Sequence, residues 1–156
     1  MKLGSKILLG VGVVLVGIQV IRPARNESEG PFPNDIAKHY KTPEAVLTVL
    51  QDSCYDCHSD NTRYPWYFKV QPVAWWMDHH IHEAKRHLNF SQFATYSAKR
   101  GAHAMHEMRE QVEEREMPIE SYLVIHRDAK LTDGQIKLLS DWSKQVEDAI
   151  KQATTN

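Results

Sequence analysis

An all-α fold is predicted, a helical domain preceded by an N-terminal membrane-anchor helix, and three observations predict it. Apolar residues recur at 3.6-residue spacing in several long segments. The alternating runs that mark half-buried strands are nearly absent. The chain also begins with one continuous apolar stretch, from Ile7 to Ile21, interrupted only by small glycines and Gln19.

That stretch is flanked by Lys2 and Lys6 on one side and by Arg22 and Arg25 on the other. Counted from Leu3 it is about 19 residues, close to the ~20 that a bilayer requires of a helix. A cleaved signal peptide would end in small residues, but the run passes into Ile21-Arg22-Pro23-Ala24-Arg25, so residues 1–25 are expected to stay attached as an anchor. Residues 26–41 are polar, carry Pro and Gly, lack periodicity and are read as a linker. Residues 42–156 suit one domain with a single core.

Within the domain the first helix starts at Thr42-Pro43-Glu44, with Thr as cap and Pro as the first helical residue. Its apolar positions Val46, Leu47, Val49 and Leu50 lead directly to Cys54. A second helix is predicted from Pro72 to about Leu88, with Val73, Met77, Ile81, Ala84 and Leu88 on one face. A third, about Ser97 to Glu114, repeats Ala98, Ala102, Met105, Met108 and Val112, and Pro118 is expected to end it. The last opens on Thr132-Asp133-Gly134-Gln135, a capping box, and carries Ile136, Leu139, Trp142, Val146 and Ile150 as its stripe.

The chain has two cysteines, and both lie in Cys54-Tyr55-Asp56-Cys57-His58. C-x-x-C-H is the pattern that holds haem covalently: the thiols add to the two vinyl groups of one porphyrin, and the histidine binds the iron from the proximal side. A thioredoxin-like pair would sit between strand and helix in a βαβ unit, which this sequence lacks. A zinc site would need two further ligands beyond Cys54 and Cys57, which histidines could supply. Covalent attachment of haem takes place, in bacteria, outside the cytoplasmic membrane, so the domain is expected to face the periplasm. Residues 26–156 carry 15 Lys and Arg, the 19 of the chain less Lys2, Lys6, Arg22 and Arg25, against 20 Asp and Glu. A mildly acidic surface argues against nucleic acid as a partner.

Whether the second axial position of the iron is filled separates a carrier of electrons from a ligand binder or catalyst. Met117, in Glu116-Met117-Pro118-Ile119, is the candidate, because the proline fixes an extended turn that can present a thioether. Among the nine histidines, His103 and His106 project from the polar side of the third helix and His79 and His82 from that of the second. His80 falls within the apolar stripe and is the alternative ligand, or else a core residue. Trp66 and Tyr67, in the aromatic run that begins at Tyr64, are expected as the porphyrin wall. Arg109, a charge on an apolar stripe, is expected either to meet a haem propionate or to extend to solvent.

Together with Tyr64-Pro65-Trp66-Tyr67, Gln71-Pro72-Val73-Ala74-Trp75-Trp76, His87-Leu88-Asn89-Phe90-Ser91 and Tyr122-Leu123-Val124-Ile125-His126, these motifs resemble the bacterial haem-binding domain family, small membrane-anchored relatives of cytochrome c. The resemblance covers about Thr42 to Val146. It implies a cytochrome c-like helical domain around one covalent haem c, held by Cys54 and Cys57 and ligated by His58, in a single-pass protein of the bacterial cytoplasmic membrane. Electron transfer to an unidentified redox partner, without enzymatic activity, is the function expected. The alternatives are a haem peroxidase or gas sensor with an open sixth site, with His80 as its acid-base group, and a zinc-binding structural module.

Overall fold

The computed structural model describes residues 2–154. Helix α1, Leu3–Gly17, continues through a 3₁₀ turn at Ile18–Val20, and this apolar stretch buries none of its residues in the protein. It is long and apolar enough to cross a membrane. The domain that follows comprises α2 (Ile36–His39), α3 (Glu44–Ser53), α4 (Tyr55–His58), α5 (Val73–His87), α6 (Ala98–Glu113), α7 (Glu120–Leu123) and α8 (Asp133–Ala153). Among the described residues there is no strand, and a lone bridge pairs Glu27 with Asn61.

The long helices lie within a residue or two of their predicted limits, because their termini are written in local chemistry. Thr132 and Gln135 form both bonds of the capping box at α8. Ser97 caps α6 through the Arg100 amide. At α3 the start is shifted by one: Pro43 stands at the cap position, and the Thr42 hydroxyl donates to the Tyr40 carbonyl instead of capping. The end of α6 is a further difference. It stops at Glu113, where Arg115 turns into the left-handed region at φ 61°. The amides of Arg115 and Glu116 close back on the Val112 and Gln111 carbonyls, a Schellman stop that precedes Pro118.

Helices α6 and α8 pack along their lengths and carry most of the core. Met105, Leu139, Trp142, Val146 and Ile150 are buried, each worth about 1.5–3 kcal/mol over exposure. Phe90 and Phe93, from a 3₁₀ turn at Phe90–Thr95, join Ile36 and Leu50 to that core. Arg109 lies in the same contact and meets the buried Glu147 at 2.6 Å, with His106 Nδ1 accepting a second bond at 2.6 Å. Its partner is therefore a carboxylate of α8, which explains a charge on that stripe and takes it away from the site expected for it.

Residues 26–41 are part of the domain rather than a free linker. The Asn26 side chain donates to the Ser59 carbonyl and to Thr62, and the Ser28 amide donates to the Asp60 carbonyl. Asp35 caps α2 and accepts a bond from Tyr55, and Ile36 is fully buried. A lack of periodicity removed the sequence signal, because these contacts are made by backbone and isolated polar groups.

Candidate functional site

Helix α3 leads into α4 with only Cys54 between them, and the Cys57 and His58 amides both donate to the Cys54 carbonyl. This single tight turn gathers both thiols and the imidazole. They open on a cavity of about 490 Å³, within the range of small-molecule and cofactor sites. Ala84 and Leu88 line it from the α5 side, Ala104, Met108 and Val112 from α6, and Phe90 and Leu131 complete much of its apolar wall. Met117, Pro118 and Ile119 line the same cavity from the loop beyond α6.

The orientation of His58 is fixed. Its Nδ1 lies 2.9 Å from the Leu88 carbonyl. A carbonyl only accepts, so Nδ1 carries the proton and Nε2 keeps its lone pair for a metal. Burial lowers the His58 pKa, against an opposing pull from the Leu88 and Ala84 carbonyls, and favours the neutral ring that coordination needs. Burial pushes Cys54 up to about 12, with Cys57 adding to the effect, and pushes Cys57 up to about 11, with Asp56 adding. The two are free cysteines. Protonated thiols held this way lack the depressed pKa of a redox dithiol.

Asp56, between the cysteines, is the strut of the motif. Arg63 binds it through Nε at 2.9 Å and Nη2 at 3.2 Å, and the Tyr122 hydroxyl donates to it at 3.0 Å. Arg63 also donates to the Gln51 carbonyl on α3, so the motif is tied to the helix before it and to α7. Tyr122 lines the cavity and stacks on His126 at 4.2 Å, and His126 in turn meets the Tyr67 hydroxyl. Sequence reasoning missed Leu88, Asp56, Arg63 and Tyr122 as parts of the site. Asp56 occupies an unspecified position of the motif, and its partners Arg63 and Tyr122 come from elsewhere in the chain.

The structure thus brings Cys54, Cys57, His58 and Met117 to one cavity, and it places His80 and His87 on the same lining. His80 Nδ1 bonds the Trp76 carbonyl at 2.8 Å, which leaves its Nε2 available. The expected wall residues are elsewhere: Trp66 is 76% exposed and Tyr67 is turned to His126, and neither lines the cavity. Arg109 is absent from the lining as well, for the reason given above. His82 and His103 are surface groups paired with Asp78 and Glu107, as the helical wheel predicts. Among the described residues no group of three or more His, Cys, Asp or Glu side chains is arranged to hold a bare metal ion.

These residues fit a haem: paired thiols, an imidazole with its outer nitrogen satisfied, an apolar cavity of cofactor size and a thioether on the same lining. A family model described as a haem-binding domain matches residues 13–145. No curated protein and no solved structure matches the chain.

Proposed function

The chain belongs to the haem-binding domain family, and from that premise we propose that it is a monohaem c-type cytochrome, anchored in the bacterial cytoplasmic membrane with its domain in the periplasm, that carries electrons and is not an enzyme. The observation that carries this reading is the meeting of Cys54, Cys57, a correctly protonated His58 and Met117 on one apolar cavity. When bound, haem supplies a one-electron couple. Cys54 and Cys57 would hold it by thioether bonds, and His58 Nε2 would ligate from the proximal side. The Leu88 carbonyl keeps that imidazole from rotating and raises its donor strength. Asp56, clamped by Arg63 and Tyr122, keeps the spacing of the thiols rigid. Phe90, Met108, Val112 and Ile119 exclude water, which sets the local dielectric.

Met117, on the same cavity lining, would supply the second ligand, and a thioether there would favour a relatively high potential suited to electron transport. The test is optical, on full-length protein matured in a host with haem-attachment machinery. Acid-acetone extraction should leave the haem on the polypeptide, and both oxidation states should be low-spin. The ferric form should show the weak sulfur-to-iron charge-transfer band, which Met117→Ala abolishes while opening the ferrous form to carbon monoxide. Extractable haem, or stoichiometric zinc, ends the cytochrome reading.

The position of His80 on the same cavity, with Nε2 available, favours a second reading in which it ligates or acts as an acid-base group at an open sixth site. A low-spin spectrum that survives Met117→Ala and changes with His80→Ala assigns the ligand to His80. A high-spin ferric wild type assigns the open site.

A further inference from the structure

The end of the apolar N-terminal segment is bolted to the domain. The Gln19 side chain donates to the Gln71 carbonyl and accepts from the Gln71 amide. The Ile21 carbonyl accepts from the Gln71 side chain at 2.8 Å and from Trp75 Nε1 at 3.1 Å, and Arg22 donates to the Lys69 carbonyl at 3.0 Å. Gln71 is itself buried. The segment that leaves the helix is therefore held against the start of α5 before the chain reaches residue 26.

Around that junction the protein exposes large apolar side chains. Trp66 is 76% exposed, Val70 44%, Val73 37% and Trp76 42%. Among the described residues outside the N-terminal segment, the other exposed large apolar residues are Val124 and Ile125. Scattered apolar residues need no explanation, but Val70 and Val73 flank the Gln71 that holds Gln19 and Ile21, and Trp66 and Trp76 lie within about one helical turn of them along the chain. Tryptophan is enriched at the membrane–water boundary, where its ring sits among headgroups and its N–H finds a polar partner. Two basic residues, Arg22 and Lys69, lie at the same junction, where the Arg22 side chain donates to the Lys69 carbonyl.

We propose that Trp66, Val70, Val73 and Trp76 form an interfacial collar that seats the domain on the bilayer entered by its own helix, with the headgroup region of that membrane as the occupant. The proposal rests on reading residues 3–20 as a membrane span. The collar gives the cavity a fixed place, because α5 begins in the collar at Val73 and reaches the cavity lining at His80, about 10 Å along the helix axis. The haem site is thereby held at one height and orientation over the lipid instead of swinging on a tether.

Photocrosslinking tests this on the haem-loaded full chain in liposomes of phosphatidylethanolamine and phosphatidylglycerol. p-Benzoylphenylalanine is placed at position 66 or 76, at position 11 inside the apolar helix, or at position 137 on the exposed face of α8. Mass analysis is expected to show lipid adducts at 66 and 76 at yields near that of position 11 and about tenfold above that of position 137. Adducts at 11, with 66 and 76 no higher than 137, overturn the collar and leave the span intact. A crosslink from 66 or 76 to a second copy of the chain overturns it in favour of a protein contact. No lipid adduct at 11 removes the span and the collar with it.

Discussion

Helix α6 meets a finished surface on one side and a cavity on the other. Toward α8 it packs Ala102 and Met105 among Leu139, Trp142, Val146 and Ile150, and the half-buried Arg109 meets the buried Glu147. Toward α4 and α5 it presents Ala104, Met108 and Val112 to a space of about 490 Å³. The first side is completed by the protein's own residues. The second faces a partly open, mostly apolar cavity whose walls are covered only by a bound group. The difference teaches where this fold depends on its cofactor, and it separates a packing region from a binding region within one helix.

The largest effect should come from breaking the binding side alone. His58→Ala removes the ligand proposed for the iron, and the yield of haem-loaded protein should fall more than about tenfold. In the haem-free protein, hydrogen exchange should show lost protection over α3 to α5 and residues 115–123, while the paired cores of α6 and α8 stay protected. Uniform loss across all helices would mean that the two sides are one cooperative unit.

Breaking the packing side should be smaller and should leave the site's spectrum unchanged. Glu147 is buried, which raises its pKa, but bonds from Lys151 and Arg109 outweigh burial and hold it at about 2 against an ordinary 4.5. A depressed carboxylate stabilises the fold above its unfolded pKa, and that contribution is lost as pH falls from about 4.5 toward about 2. Glu147→Gln should cost about 2–3 kcal/mol at neutral pH, since it leaves the half-buried Arg109 without its charge partner. Urea unfolding across the acid window should show the gap between wild type and variant narrowing as pH drops. A constant gap would place the acid sensitivity elsewhere.

The smallest effect sharpens the boundary between the two regions. Arg115 holds a left-handed backbone at the stop of α6, two residues before Met117, and pairs with Asp133 at the start of α8. Glycine takes that conformation without the Cβ penalty, so Arg115→Gly should raise stability by about 0.5–1 kcal/mol, reduced slightly by the lost exposed ion pair. A rise in Tm without any change in the haem spectrum is expected. A spectral change would show that the turn positions Met117.

The sequence by itself determined the long helices and the grouping of the motif's thiols and imidazole. Helical period, the Thr132–Gln135 capping box and the apolar N-terminal run act over a few residues, and C-x-x-C-H brings its thiols and imidazole together within one turn. It also identified Met117 and His80 as candidates, and both line the cavity. Only the tertiary structure decided which distant groups meet them. Leu88 orients His58, and Arg63 and Tyr122 clamp Asp56. Arg109 turns to Glu147, Trp66 and Tyr67 stand outside the cavity, and residues 26–41 dock on the loop after the motif. A side chain's helical position gives its direction from its own axis but not the neighbour that axis is packed against. Such neighbours are set by the summed burial and pairing of the whole chain, which no local window contains.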